Sequence, residues 1–232
     1  EPDLLDYNLD FGRPATFFTE DQYRSSDHDP VIVGLDLFAP PVVKASFGDA
    51  LLQCGLDNAT LTVSISDPDE DDSHTVTVDW GDGAEPTIVA TDEDSVTLTH
   101  TYAAAGAYTA TVTVLDSQGH VVTTTAEATV AYDTDGLTGP FKNDAWTAKN
   151  GSTVPVKVEF RDCDGSKPTD LDPTITVSLG GEDVLSDTMR FTGGNWQFQL
   201  RTRDLDGPGE YTVTITVPET GQTVTGALTV RR

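Results

Sequence analysis

The chain has 232 residues, of which 39 are Asp or Glu and 13 are Lys or Arg, so its formal net charge is −26 at pH 7. This charge repels nucleic-acid backbones and anionic membranes unless cations intervene, and it excludes a basic DNA-binding protein. Hydrophobic residues make up 37% of the sequence, enough to bury ordinary cores. The abundance of Thr and Asp favours strands and turns over helices. The composition therefore predicts an all-β protein, with no apolar run approaching the roughly 20 residues of a membrane span.

The first segment, residues 1–40, lacks the Thr-rich alternation of the later chain and ends in an apolar strand followed by a Pro-containing linker. Just before that strand, residues 26–31 read SDHDPV. Asp27 can offer a carboxylate to a divalent cation, and His28 can face the same cleft as a proton carrier or phosphate donor. The same residues also fit a simple turn with Asp27 as its cap and His28 exposed.

This first segment resembles the C-terminal end of secreted bacterial nucleases of the endonuclease/exonuclease/phosphatase superfamily, whose fold is a DNase I-like α/β sandwich. The resemblance implies that Asp27 helps to bind Mg²⁺ or Mn²⁺ and that His28 contacts the scissile phosphate of a nucleic acid or nucleotide phosphoester. The other metal-binding and catalytic residues of that family precede the region that residues 1–40 resemble. We therefore expect a truncated tail of the nuclease fold here, and a chain that is inactive by itself.

From Ala59 onward, polar and apolar residues alternate strictly, as half-buried strands require. GAYTATVTV at residues 106–114 and GEYTVTITV at residues 209–217 agree at six of nine positions. Their spacing is about the size of one immunoglobulin-like sandwich, and a Tyr that enters a late strand after a Gly turn is typical of the tyrosine corner of that fold. The pattern predicts two tandem immunoglobulin-like β-sandwiches at residues 41–131 and 132–232.

The middle segment contains the sequence DWGDG at residues 79–83, then HTY at residues 100–102, and then Tyr108 after a Gly turn. Trp80 is a large inward anchor at a strand end, and Gly81 and Gly83 supply the positive φ angles of a tight hairpin around Asp82. These three motifs, in this order, resemble the PKD domain, an immunoglobulin-like β-sandwich. We interpret all of these residues as structural.

The middle segment also carries most of the charge, because residues 41–131 hold 15 acidic residues and one basic residue. Its densest acidic run is DPDEDD at residues 67–72, in a loop between two predicted strands. The carboxylates of Asp67, Asp69, Asp71 and Asp72 can hold Ca²⁺, which members of the PKD family sometimes bind. The same run also fits a solvated loop that keeps the protein soluble.

The last segment contains PVK at residues 155–157 and the strand NWQFQL at residues 195–200. These features resemble the PxKF-type immunoglobulin-like repeat found at the C-termini of secreted bacterial proteins, whose biochemical role is undefined. Trp146 and Trp196 fit either core anchors or exposed platforms for sugars. We favour core positions, because Trp usually packs inside.

The cysteines and histidines of the two predicted sandwiches form no recognisable site. Cys54 and Cys163 lie in different predicted domains, which leaves open an interdomain bridge or two free thiols, and we favour the free thiols. His74, His100 and His120 lie near strand ends without a metal-binding spacing, and we interpret them as structural.

Two functions follow from these observations. In the first, the chain is the accessory part of a secreted, metal-dependent nuclease or phosphodiesterase to which it contributes Asp27 and His28. In the second, it is a non-catalytic extracellular binding or spacer module that attaches to a polysaccharide or another cell-surface polymer. Function resides in a site rather than in a fold, so the two hypotheses are compatible.

Overall fold

The computed structural model describes residues 39–49, 51–55, 58–69 and 72–232. Within these residues the regular structure consists of strands and one 3₁₀ turn at Thr202–Asp204, so the fold is all-β. The strands form two β-sandwiches in tandem, which confirms the predicted fold class. The described residues contain no helix long and apolar enough to cross a membrane. The predicted nuclease-like tail lies outside the described residues.

The first sandwich packs a three-stranded sheet, in the order β1-β3-β6, against a five-stranded sheet, in the order β2-β8-β7-β4-β5. Its strands are β1 (Val42–Phe47), β2 (Leu52–Gln53), β3 (Ala59–Ser66), β4 (His74–Asp79), β5 (Thr87–Thr91), β6 (Ser95–His100), β7 (Gly106–Asp116) and β8 (Val121–Ala131). Strict alternation buries one face of each central strand; in β3, for example, Leu61, Val63 and Ile65 point inward.

The second sandwich packs a four-stranded sheet, in the order β14-β15-β11-β9, against a five-stranded sheet, in the order β10-β17-β16-β12-β13. Its strands are β9 (Leu137–Thr138), β10 (Ala145–Lys149), β11 (Thr153–Val158), β12 (Thr174–Leu179), β13 (Glu182–Thr188), β14 (Arg190–Thr192), β15 (Asn195–Arg201), β16 (Gly209–Val217) and β17 (Gln222–Arg231). The chain crosses between the two sheets at Met189, which is buried.

The two sandwiches share one plan. In each, a short early strand pairs in parallel with the last strand, β2 with β8 and β10 with β17. In each, the repeated Tyr donates a hydrogen bond to the backbone carbonyl four residues before it. The hydroxyl of Tyr108 donates to Ala104 and that of Tyr211 donates to Gly207, both at 2.8 Å. The sequence repeat therefore reflects two tyrosine corners.

Each sandwich has its own hydrophobic core. The buried residues of the first core lie between Leu52 and Val130, and those of the second between Tyr132 and Val230. Trp196 belongs to the second core, as predicted. The prediction for Trp146 is wrong, since 38% of this residue is exposed. Trp146 lies on β10, an edge strand that pairs only with β17 among the described strands, so its side chain has less sheet to pack against.

Candidate functional site

The acidic loop after β3 brings together a different set of carboxylates from the one predicted. Oxygen atoms of Asp67, Asp72 and Asp116 all lie within 4.8 Å of one another. Asp67 follows β3, Asp72 precedes β4, and Asp116 ends β7, which is the neighbour of β4 in the sheet. The pairing of β4 with β7 therefore carries a residue from a distant part of the sequence to the loop.

Asp69, another carboxylate of the predicted set, makes different contacts. The Oδ2 atom of Asp69 accepts a hydrogen bond of 3.0 Å from the backbone N–H of Ala39, and its own N–H donates to Asp67. Asp69 thus fastens the start of the first sandwich to the loop. Asp71 lies outside the described residues. Among the described residues, Asp67 and Asp72 of the predicted set lie together with Asp116, and the metal-binding role of the predicted set stays a prediction.

Asp67 and Asp116 have a partner on each carboxylate oxygen, whereas Asp72 has one on a single oxygen only. Asp67 pairs with the Nε2 atom of His74 at 2.9 Å, and Asp116 pairs with the Nδ1 atom of His120 at 2.7 Å. The Oδ1 atom of Asp72 accepts from Gln118, whereas its Oδ2 atom is buried and has no partner among the described groups. A buried carboxylate oxygen without a donor is costly, and a bound cation would satisfy it.

Asp116 is held in its ionised form despite its burial. Burial alone would raise the pKa of this carboxyl, but hydrogen bonds from His120 and from the backbone N–H of Gln118 outweigh it and lower the pKa. Oxygen atoms of ionised carboxylates are the ligands that Ca²⁺ prefers. The geometry therefore fits a hard divalent cation better than a soft metal.

A second group of chemically notable residues is an aromatic ladder inside the first sandwich. The Trp80 ring stacks on the His100 ring with centroids 4.7 Å apart, and His100 meets the edge of Tyr102 at 4.8 Å. Tyr102 in turn stacks on Tyr108 at 4.1 Å. The residues of the DWGDG, HTY and Gly-x-Tyr motifs thus form one continuous stack, which explains why they occur together.

The turn residues of the same motif support this ladder. Asp82 accepts a hydrogen bond from Ala84 and pairs with the Nε2 atom of His100 at 2.7 Å. Burial raises the pKa of Asp82, but these bonds outweigh it and hold the pKa below its usual value. Gly81 and Gly83 have φ angles of 77° and 81°, as predicted, and a Cβ on Gly81 would overlap the carbonyl oxygen of Thr109.

Burial of the ladder raises the pKa of its two tyrosine hydroxyl groups. It raises the pKa of Tyr102 to about 12, with a smaller contribution from the charge of Asp82. The Tyr102 hydroxyl donates to the carbonyl of Trp80 at 3.2 Å. These groups are satisfied and enclosed, so the ladder supports the fold and does not act as a reactive site.

The histidines of the first sandwich all pair with aspartates. His74, His100 and His120 contact Asp67, Asp82 and Asp116 respectively. Sequence reasoning missed these pairs, because the partners are separated by 4 to 18 positions and their approach depends on strand pairing. Only the pair of His120 with Asp116 could have been predicted from the local sequence, because the two residues are four positions apart in one turn.

The two cysteines form a disulfide bond, which corrects the preference for free thiols. Their Cα atoms are 4.7 Å apart, and the bond joins β2 of the first sandwich to a loop of the second. Cys54 and Cys163 also lie close to the carboxylate of Asp162. Both sulfur atoms are consumed by the bond, so this trio is not a metal site.

One further hydrogen bond joins the sandwiches, and a pair of hydrogen bonds holds the first residue of the second sandwich. Asp162 accepts a hydrogen bond of 2.7 Å from the backbone N–H of Ala105, across the junction. The side chain of Gln222 donates to the carbonyl of Tyr132 at 2.8 Å and accepts from the N–H of the same residue at 2.9 Å. The last strand of the first sandwich ends at Ala131. These two hydrogen bonds therefore hold the chain at Tyr132, where the second sandwich begins.

Comparison with known proteins agrees with the motifs of the first sandwich. Residues 38–132 match the family model of the PKD domain. The first sandwich is therefore similar to the PKD domain. No curated protein matches the chain significantly.

Solved structures similar to the chain are built of repeated immunoglobulin or fibronectin modules. A chimeric titin Z1Z2 carrying a peptide from decorin is 18% identical, covers 84% of this chain and 98% of its own, and has a TM-score of 0.33. The titin tandem A164-A165 is 16% identical, with coverages of 82% and 95% and a TM-score of 0.33. The fibronectin(III)-like modules of CbhA from Clostridium thermocellum are 13% identical, with coverages of 81% and 94% and a TM-score of 0.34.

The nuclease-like residues Asp27 and His28 lie outside the described residues, as does the rest of residues 1–38. Their predicted roles in metal binding and phosphate contact therefore stay predictions.

Proposed function

We propose that residues 39–232 act as a non-catalytic extracellular spacer of fixed geometry, in which the PKD domain and the second sandwich behave as one body. The observation that carries this proposal is the disulfide bond between the two sandwiches. The Asp162–Ala105 bond adds a second restraint between the sandwiches, and the Gln222–Tyr132 bonds hold the first residue of the second sandwich in place. A flexible linker between the domains is the usual arrangement in tandem modules, and the disulfide bond and the Asp162–Ala105 hydrogen bond oppose it.

The disulfide bond also supports a location outside the cytoplasm. Structural disulfides persist in oxidising environments such as the extracellular space, and they are rare where cellular thiols are kept reduced. We place the domain boundaries at residues 1–40, 41–131 and 132–232, and we assign the last segment to the PxKF type on the motif at residues 155–157.

Residual dipolar couplings of the full chain test the fixed geometry. Amides of the two sandwiches are expected to fit one alignment tensor in the oxidised chain, since a rigid pair aligns as a single body. After reduction of Cys54–Cys163 in the Asp162→Asn variant, the two sandwiches should need separate tensors. Two tensors in the oxidised wild-type chain would contradict the spacer of fixed geometry.

A second candidate function is supported by the SDHDPV sequence at residues 26–31. In this proposal the sandwiches accompany a secreted nuclease or phosphodiesterase in which Asp27 binds Mg²⁺ or Mn²⁺ and His28 contacts the scissile phosphate. The test is release of acid-soluble nucleotides from DNA with Mg²⁺, by this chain and by one extended before Glu1. Only the extended chain should be active, and Asp27→Asn should inactivate it; an inactive extended chain would remove this candidate.

We further propose that the PKD domain binds Ca²⁺ through Asp67, Asp72 and Asp116. The support is the approach of their oxygen atoms to within 4.8 Å, together with the buried, unpartnered Oδ2 atom of Asp72. Bound Ca²⁺ would offset two of the three negative charges of these carboxylates and join the loop after β3 to the end of β7. Its role would be to stabilise the spacer.

Calorimetry measures this effect directly. Several millimolar Ca²⁺, compared with chelator, is expected to raise the Tm of the joint unfolding transition of the two sandwiches by about 5 °C, because a ligand that binds only the folded state at tens of times its Kd stabilises that state by about 2 kcal/mol. Asp72→Asn should abolish the shift. Asp69→Asn is the matched control in the same loop and should keep it. An unchanged Tm in the wild-type chain would contradict the proposal.

A further inference from the structure

The second sandwich contains a groove where the chain crosses from one sheet to the other at Met189. β14 pairs only with residues Asn195, Gln197 and Trp196 of β15, so the rest of β15 lacks a neighbouring strand on that side among the described residues. The groove between this open part of β15 and the end of β13 has a volume of about 540 Å³. That volume lies within the range of binding sites for small ligands or polymer segments.

The charge of this groove is opposite to that of the protein. Arg190 and Arg201 line it, and both side chains are exposed. No described carboxylate forms an ion pair with either arginine, although Arg161, Lys167 and Arg203 of the same sandwich are all paired. In a chain with a net charge of −26, two unpaired guanidinium groups beside one groove form a local cationic site.

The register of the sheet extends this cationic surface. Arg190 lies opposite Gln197, which lies opposite Lys157 on β11, so the three side chains share one face. Gln199 and Arg201 follow Gln197 at intervals of two along β15 and lie on the same face. Lys157 also has no ion-pair partner among the described carboxylates. The result is an exposed face of alternating cationic and amide side chains.

One acidic residue also lines the groove. Asp187, at the end of β13, is exposed, and its carboxylate accepts a hydrogen bond of 2.8 Å from the N–H of Thr188. It forms no ion pair with Arg190 or Arg201. Asp187 lowers the net charge of the groove but leaves the guanidinium groups free to bind a ligand.

These groups match one ligand chemistry. Guanidinium groups bind carboxylates in a bidentate fork, and amide and hydroxyl side chains such as Gln197, Gln199 and Thr188 can bond the hydroxyl groups of sugars. Phe198 adds a half-buried apolar surface to the groove. We propose that this groove binds an acidic polysaccharide whose sugar units carry carboxylates.

Two other polyanions fit less well. An acidic peptide that added a strand to β15 would find only the four positions 198–201 unpaired, which is shorter than an average strand. Single-stranded nucleic acid is usually held by exposed aromatic side chains on which bases stack, and Phe198 is half-buried against the second core. Charge and hydroxyl-binding groups together therefore favour the polysaccharide. This ligand site goes beyond the spacer function and does not depend on it.

Titration calorimetry of the full chain with oligogalacturonate at low ionic strength tests the proposal. We expect binding that weakens as salt is added, because exposed charges are screened. Fully methyl-esterified oligogalacturonate, which has the same backbone without the charge, should bind at least about tenfold more weakly. Binding of both probes with equal affinity would overturn the carboxylate-specific site, and so would the absence of binding to oligogalacturonate.

Two double substitutions with the same change in net charge distinguish binding in the groove from a general electrostatic attraction to the ligand. Arg190→Gln with Arg201→Gln should weaken binding at least about tenfold, because each change removes a charge-assisted hydrogen bond. Arg231→Gln with Arg232→Gln changes the net charge equally at an exposed chain end and should leave binding within about twofold. An unchanged Tm would show that both variants remain folded. An equal loss in the two variants, or equally tight binding of a poly-glutamate peptide, would overturn the proposal.

Discussion

Replacement of both Cys54 and Cys163 with serine is expected to lower the free energy of unfolding by about 4 kcal/mol. The two residues are 109 positions apart, so the bond closes a long loop and removes much of the conformational freedom of the unfolded chain. That loop contains β3 to β11, which is most of the PKD domain and only the first three strands of the second sandwich. The largest destabilisation is therefore expected for the first sandwich.

Urea denaturation followed by far-UV circular dichroism and Trp fluorescence measures this change. In the oxidised wild-type chain we expect the two sandwiches to unfold together, because a disulfide bond and a hydrogen bond join them, whereas the serine variant should show an earlier separate transition for the PKD domain. Reductant should give the wild-type chain the midpoint of the variant and leave the variant unchanged. Equal midpoints for the oxidised chain and the variant would show that the bond contributes nothing to stability.

The sequence predicted the features that depend on local patterns. Alternation and the nine-residue repeat were sufficient to predict two sandwiches. Each strand must bury one of its faces, and each repeated Tyr forms the tyrosine corner of one sandwich. The DWGDG motif likewise predicted positive φ angles at Gly81 and Gly83. These features need only neighbours in the sequence, and alternation or turn chemistry reveals them.

The features that sequence reasoning missed depend on which strands become neighbours. Asp116 joins Asp67 and Asp72 only because β7 pairs with β4. The bond between Cys54 and Cys163 requires the packing of one sandwich against the other, for which two isolated cysteines offer no pattern. The same reason applies to the groove beside Arg190 and Arg201, which exists because the chain leaves one sheet at Met189 and pairs only briefly in the next.

Trp80→Ala is expected to lower the stability of the PKD domain by about 3 to 5 kcal/mol, as large-to-small changes of buried aromatic residues do. Trp80 is fully buried, and its ring lies between Phe47 and His100. Its Nε1 atom also donates to the hydroxyl of Thr87 at 2.9 Å. The substitution therefore leaves a cavity in the first core, removes one end of the aromatic ladder and leaves a hydroxyl without its donor.

Trp146→Ala is the matched control, because it makes the same chemical change at a side chain that is 38% exposed on the edge strand β10. For Trp80→Ala, calorimetry should show a separate transition of the first sandwich below the Tm of the joint wild-type transition, while the second sandwich is still folded. Trp146→Ala should shift the joint transition much less. If both variants lost the same stability, the ladder would not be the element that holds the PKD core together. If only Trp80→Ala does, the conjunction of DWGDG, HTY and Gly-x-Tyr reflects the packing of one aromatic stack and not a binding site.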